Sequence, residues 1–235
     1  MRKVGIMQPY FLPYIGYFQL IKSVDKFVVY DDVKYINRGW INKNKMLINN
    51  KESIFYLGVK KDLGNLNINE RYFCDDIERH ISKLFRSIER AYKKAPMFNT
   101  VMPIIEDIFK YDIKINIAEF LENSLIHICD YLNIETEIIV SSQINKNCTL
   151  RSQDKIIDIV KELKGDIYIN SIGGQKLYSK EVFRKNNIKL YFLNTKKIYY
   201  KQYNEIFVPN LSILDIMMFN SKESIKKMLT MYELI

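Results

Sequence analysis

Residues 166–193 read DIYINSIGGQKLYSKEVFRKNNIKLYFL, and this stretch decides the fold class. Asp166–Asn170 is a short β-prone run followed by a Gly173-Gly174 loop, and Ile188–Leu193 is a second such run. Between them, Ser179–Lys185 reads as a helix ended by Asn186-Asn187. Upstream, Ser152–Leu163 reads as a helix with Gly165 as its C-terminal cap, preceded by a strand at Glu137–Val140. The order is β-α-β-α-β. Such alternation requires right-handed crossovers and parallel pairing.

The N-terminus begins in the same way. Lys3–Gln8 is an apolar run ended by Pro9, Gly16–Val24 a helix entered through a Pro-containing loop, and Lys26–Tyr30 (KFVVY) a strand. Ser53–Val59 is a further strand. The middle is helical: Ile77, Ile81, Leu84, Phe85, Ile88 and Ala91 share one helix face, stopped at Ala95-Pro96. Pro103 either kinks the next apolar segment or marks its first turn. Ile117, Leu121, Leu125, Ile128 and Leu132 give another amphipathic helix. No repeat or linker interrupts the chain. The expected fold is a three-layer α/β, mostly parallel, Rossmann-like sheet in one domain over 1–235, with a helical insertion at about 75–133.

Composition narrows the class. At 48% hydrophobic and 27% charged, the chain has the material for a core and is not a disordered one. No run of 18 apolar residues exists, and Gln8, Pro9, Pro13 and Gly16 break any signal-peptide core, so a cytoplasmic location without membrane insertion is expected. The oligomeric state stays open. Cys74, Cys129 and Cys148 have no CxxC spacing and read as buried small apolar residues. The histidines His80 and His127 lie in helical segments, read as lacking a Cys or Asp at ligand spacing, and no GxSxG elbow is present. The expectation is therefore no metal held by His or Cys, and no His-based triad.

Charge is unevenly spread. The net formal charge is +9, and residues 33–61 carry seven Lys/Arg against Glu52 alone. Residues 176–202 carry eight against Glu181 alone. Two basic segments suit an anionic substrate, and a solvated lysine surface is the alternative.

Three constellations could carry chemistry. The first is the loop after the first strand, where open α/β sheets bind ligands and a helix N-terminus can hold an anion. Gln8, Tyr10, Tyr14 and Gly16 are its candidate substrate-binding residues, with Tyr17 as a candidate catalytic residue; aromatic packing is the alternative. The second is Asp31-Asp32 at the end of KFVVY, followed by Arg38, Asn42 and Asn44. A carboxylate there could hold a metal, a ribose or an amine proton, and Arg38 could grip phosphate bidentately; a turn with an Asx cap is the alternative. The third is the Gly173-Gly174 loop with Lys176 and Tyr178, which could form an anion nest or a tight left-handed turn. It lacks the spacing of a Walker A loop. Both glycine-bearing loops should leave strand carboxyl ends and meet at one site.

MQPYFLPYIGYFQLI (7–21), DKFVVYDDVKYINRGWINKN (25–44), YINSIGGQKLYSKEVF (168–183) and FVPNLSILDIMMFN (207–220) together resemble the WbqC-like family. So do Leu150-Arg151-Ser152-Gln153 and Tyr200-Lys201-Gln202, while Asp154 departs from the basic residue expected there. These segments add Arg151, Gln153, Gln202 and Asn210 as substrate-binding candidates. The family occurs mainly in gene clusters for O-antigen and other surface glycans, which implies a nucleotide sugar as substrate. The leading expectation is transfer of an acyl or aminoacyl group, such as glycyl, to a nucleotide-linked amino sugar. Asp31 or Asp32 would take the ammonium proton, with Tyr17 or Tyr178 orienting the donor. No tightly bound cofactor is implied; the activated donor could be a thioester, an ATP-derived adenylate or an aminoacyl-tRNA. The start of the chain is also similar to that of pantothenate synthetases and cytidylyltransferases, but Tyr14-Ile15-Gly16-Tyr17 stands where they carry HxGH, which argues against adenylation. Another nucleotide-sugar modification, or a glycan- or nucleic-acid-binding accessory role, remains open.

Overall fold

The computed structural model describes residues 1–235 except 38, 62–63, 115 and 204–205. Its elements are β1 (Lys3–Met7), α1 (Ile15–Lys22), β2 (Lys26–Val29), β3 (Lys43–Ile48), β4 (Lys51–Tyr56), α2 (Ile77–Tyr92), α3 (Phe98–Ile108), α4 (Ile117–Leu132), β5 (Glu137–Val140), α5 (Ser152–Glu162), β6 (Ile167–Ser171), α6 (Lys180–Lys185), β7 (Lys189–Thr195), α7 (Ile213–Phe219), α8 (Lys222–Met228) and β8 (Tyr232–Leu234). Six strands form one sheet in the order β5-β2-β1-β6-β7-β8, parallel except for the edge strand β8. The fold is α/β with helices on both faces. No helix among the described residues is long and apolar enough to cross a membrane.

The side-chain period of two assigns the faces. Val4, Ile6, Val28, Tyr168, Leu190 and Phe192 point into a core completed by Ile156, Ile159 and Val160 of α5 and Phe183 of α6. Phe27, Val29, Ile169 and Leu193 point the other way, into a larger core shared with α1, the α2–α4 insertion, α7 and α8. Handedness explains the split. The chain steps from β1 to β2 to β5 in one direction and from β5 back across to β6 and on to β7 in the other, so right-handed crossovers put α1–α4 on one face and α5–α6 on the opposite one.

Three expectations need correction. The strand at Ser53–Val59 lies at 51–56 and pairs with β3, which the sequence reading missed, in a separate antiparallel hairpin. Asn49 and Asn50 close it with φ of 51° and 65°, the signature of a type I′ turn. Gly165 is not the left-handed cap of α5; Lys164 takes that conformation at φ 54°. Gly165 instead sits where a Cβ would lie 2.7 Å from Val4 Cγ2 and 2.9 Å from Val160 Cγ1, so its role is close packing of α5 on the sheet. Of the cysteines only Cys129 is buried, whereas Cys74 is half-buried and Cys148 exposed.

Replacing Gly165 with Ala is expected to cost about 1–3 kcal/mol by overpacking. Urea unfolding measures this, and an unchanged midpoint would remove the packing role.

Candidate functional site

β1 and β6 are neighbours, yet the chain leaves them in opposite directions. This is the topological switch point, where the loops after two parallel strands diverge and leave a crevice. A cleft of about 860 Å³ opens there. Gln8, Tyr10 and Tyr14 line it from the first loop, and Asn170, Gly173, Gly174 and Tyr178 from the second. Asn44 and Asn210 reach it from β3 and from the loop before α7. The two loops thus share one cleft. Gly16 and Lys176 do not line it.

The first loop is held rigidly. Leu12 is left-handed at φ 43°, a strained state for a branched side chain. Its carbonyl accepts hydrogen bonds from Asn44 Nδ2 at 2.6 Å and Ser212 Oγ at 2.7 Å, and the Pro13 carbonyl accepts from Ile213 N–H at 2.7 Å. The buried Tyr17 hydroxyl donates to the Gln8 carbonyl at 3.1 Å. Tyr17 is therefore a core residue, and the donor-orienting role expected of it is corrected. Gly16 serves Tyr14: a Cβ there would overlap the Tyr14 ring. Asn44 is spent on the loop carbonyls rather than free to meet a substrate.

The second loop departs from expectation in its backbone. Ile172–Lys176 is a 3-10 turn in which neither glycine has positive φ, so the alternating nest is not formed. Lys176 is exposed on its surface. Gly174 instead admits Asn170, whose side chain a Cβ would approach to 3.1 Å. Asn170 Nδ2 donates to the Tyr168 hydroxyl at 2.7 Å. Burial pushes the Tyr178 phenol up despite hydrogen bonding from Tyr168 and Asn170, so it stays a neutral phenol at neutral pH. Burial, followed by the Asp32 charge, does the same to Tyr30 at the end of β2.

Neither aspartate enters the cleft. Asp31 is buried and accepts from Asn69 Nδ2 at 3.0 Å, Ser142 N–H at 2.9 Å and Ser142 Oγ at 2.6 Å. Asp32 pairs with Lys155 at 2.9 Å and Lys146 at 3.0 Å. Burial works against its ionisation, but Ser141 and the two ammonium groups outweigh it and hold the carboxyl below its ordinary value. A carboxylate so stabilised is a poor base, which corrects the proton-accepting role for Asp32; the same role is corrected for Asp31 because it is buried outside the cleft with its oxygens bonded to Asn69 and Ser142. Lys146 and Lys155 were not singled out from sequence because nothing local marks them as partners of a residue over a hundred positions away.

Four other candidates do not line the cleft. Gln153 Oε1 accepts from Ser179 N–H at 3.2 Å, tying α5 to α6. Gln202 is buried, donates to Asp215 Oδ2 at 3.1 Å and brackets Val208. Arg151 is exposed and donates to the Cys148 carbonyl at 2.8 Å. Asn42 bridges Tyr35 and the Leu57 carbonyl in a second cavity. Arg38 lies outside the described residues. Tyr30 and Lys45 line the cleft and were missed, while Trp40 and Ser171, which lie within the second and third constellations without being chosen as site residues, line it too. Trp40 stays 47% exposed, with the Lys43 and Lys45 ammonium groups over its ring at 5.5 and 5.8 Å from the centroid, an exposed aromatic side chain carrying positive charge. Tyr30 was legible in principle, since it ends a parallel strand beside the switch point.

Replacing Lys155 with Met is expected to destabilise the protein by about 2 kcal/mol at pH 7, by leaving a mostly buried carboxylate with one cation instead of two. A carboxyl held below its ordinary value stabilises at neutral pH and loses that contribution as pH falls through its lowered pKa. The deficit should therefore shrink at pH below 3.8, the ordinary value for Asp. Urea unfolding across pH tests this, and a pH-independent deficit would assign the loss to lysine packing alone.

Comparison with known proteins agrees with the motifs. The sequence is 24% identical over 221 residues, 92% of this chain and 93% of the relative, to the uncharacterized protein Rv1507c of Mycobacterium tuberculosis (strain ATCC 25618 / H37Rv). No solved structure matches it. The family model described as "WbqC-like protein family" matches residues 8–227. With nearly the whole chain matched, the protein belongs to the WbqC-like protein family.

Proposed function

We propose that the protein is an enzyme of surface-polysaccharide synthesis that binds a nucleotide-linked amino sugar in the switch-point cleft and acylates its amine. The observation that carries the reading is the cleft itself. Its position suits a nucleotide, its volume suits a nucleotide sugar, and Trp40 offers a stacking face beside Lys45. Gln8 and Ser171 supply polar groups for sugar hydroxyls, and Tyr178 is a neutral phenol that can donate to an acyl carbonyl.

The lining constrains the chemistry. Among the described residues the cleft is lined by no carboxylate and no histidine. The site thus works by positioning, with the amine entering as its free base. The nitrogen attacks the activated carbonyl, the amide C–N bond forms, the C–O or C–S bond to the carrier breaks, and the amine proton leaves with the departing oxygen or sulfur. That balance requires a donor already activated as an ester or thioester, so a thioester or an aminoacyl-tRNA fits better than ATP with a free acid. The same absence of a base favours a second reading, a nucleotide-sugar-binding accessory protein.

Calorimetry with a UDP-linked amino sugar is expected to show binding that Trp40→Ala weakens by about 1–3 kcal/mol through lost stacking. Mixtures with glycine plus ATP, glycyl thioester or glycyl-tRNA are then read by mass spectrometry. The glycyl amide should form with one of the activated donors and not with ATP alone. Binding without product in any mixture would overturn the acyl-transfer reading in favour of another modification or the accessory role, and absence of binding would remove the cleft as a nucleotide-sugar site.

A further inference from the structure

The strongest feature outside the cleft lies where the helical insertion begins. Phe73 bridges to Val59, and the Cys74 N–H donates to the Gly58 carbonyl at 3.0 Å. The chain then turns into α2 with Asp76 preceding its first residue and His80 one turn along. Ligand-capable atoms of Cys74, Asp76 and His80 all lie within 4.8 Å of one another, and His80 Nε2 is 3.8 Å from Asp76 Oδ2. The expectation that neither histidine has a Cys or Asp at ligand spacing is therefore corrected for His80. The spacing Cys-x-Asp-x3-His was missed because it belongs to no familiar zinc motif. It becomes a cluster only when the turn folds Cys74 back over the start of the helix.

Two details make this more than a helix cap. Gly58 faces the cluster: a Cβ there would overlap Cys74 Sγ and lie 2.9 Å from His80 Nε2. A glycine thus keeps the space around the sulfur and the ring nitrogen open. The Tyr56 ring packs edge-on against His80 with centroids 5.2 Å apart, and this fixes the plane of the imidazole. The three groups also border a cavity of about 610 Å³ with Lys60 and Lys61 on its wall.

We propose that Cys74, Asp76 and His80 bind a zinc-class divalent transition metal ion, with its remaining coordination position open to this cavity. The donor set decides the class of ion. A thiolate with an imidazole and one carboxylate suits zinc or cobalt, while magnesium and calcium want oxygen ligands throughout. Three protein donors leave one tetrahedral position for water or an anionic oxygen, the pattern of an open zinc site rather than a closed structural one. Lys61 on the cavity wall favours an anion there, whereas Lys60 is paired with Asp75 at 2.7 Å. The thiol proton is released to solvent as the metal–sulfur bond forms. This site is separate from the switch-point cleft and does not depend on the acyl-transfer reading.

The test uses the full, tag-free chain, stripped with chelator and titrated with Co²⁺. One equivalent is expected to give a sulfur-to-cobalt charge-transfer band and visible d–d bands, both displaced by one equivalent of Zn²⁺. Cys74→Ser should abolish the charge-transfer band, and His80→Ala should weaken Co²⁺ binding at least about tenfold. Cys148→Ser, which alters an exposed thiol outside the cluster, should leave the band unchanged. Gly58→Ala keeps all three donors and should also weaken binding at least about tenfold by crowding the sulfur. It remains informative if a ligand variant fails to fold, as judged by circular dichroism. A missing charge-transfer band in the parent protein, or a band that persists in folded Cys74→Ser, would overturn the proposal.

Discussion

The structure depends on the handedness of strand crossovers. β1 sits inside the sheet with β2 on one side and β6 on the other. Because parallel crossovers are right-handed, the two directions of travel force their helices onto opposite faces. The two cores, the placement of the insertion and the crevice between β1 and β6 all follow from that single constraint. Gly5 and Gly165 make the layers fit at close range, for a Cβ at Gly5 would already touch Phe27 at 3.3 Å.

The cleft then requires a loop that does not collapse into it. That rigidity comes from distant segments. Asn44 on β3 and Ser212 at the cap of α7 both bond the Leu12 carbonyl, and Ile213 bonds that of Pro13. Burying polar side chains is tolerated here because each meets a backbone group that would otherwise be unsatisfied. The hairpin and α7 therefore support the cleft as well as contribute to the core.

Several polar residues in the recognisable motifs have the same kind of task. Asp215 on α7 is buried, and burial raises its carboxyl, while Tyr200, Tyr92 and Gln202 donate to it and offset part of that cost. Asp31 fastens the end of β2 to two loops, and Asp32 collects two lysines. These are buried, partnered carboxylates that hold loops around the sheet. What lines the cleft is aromatic, amide and hydroxyl chemistry with the Lys45 ammonium, and no carboxylate or histidine among the described residues, which is why the proposed reaction relies on positioning.

The sequence by itself determined the layered α/β fold, because period-two and period-3.6 apolar patterns depend only on local geometry. It also indicated that the loops after β1 and β6 would meet, since parallel strands send their carboxyl ends to one edge. It did not reveal the β3 strand: in KNKMLI the apolar side chains stand consecutively at 46–48 and show no alternation, and the Asn49-Asn50 turn becomes a hairpin only through pairing. Only the tertiary structure separated site from framework. Asp31, Asp32, Tyr17 and Gln202 are the residue types that catalysis uses, and what withdraws them is burial against partners, distant along the chain for the two aspartates and close for Tyr17 and Gln202. The grouping of Cys74, Asp76 and His80 was likewise hidden, because a ligand set depends on where side chains converge in space, and one-dimensional spacing reports that only when the backbone between them is already known.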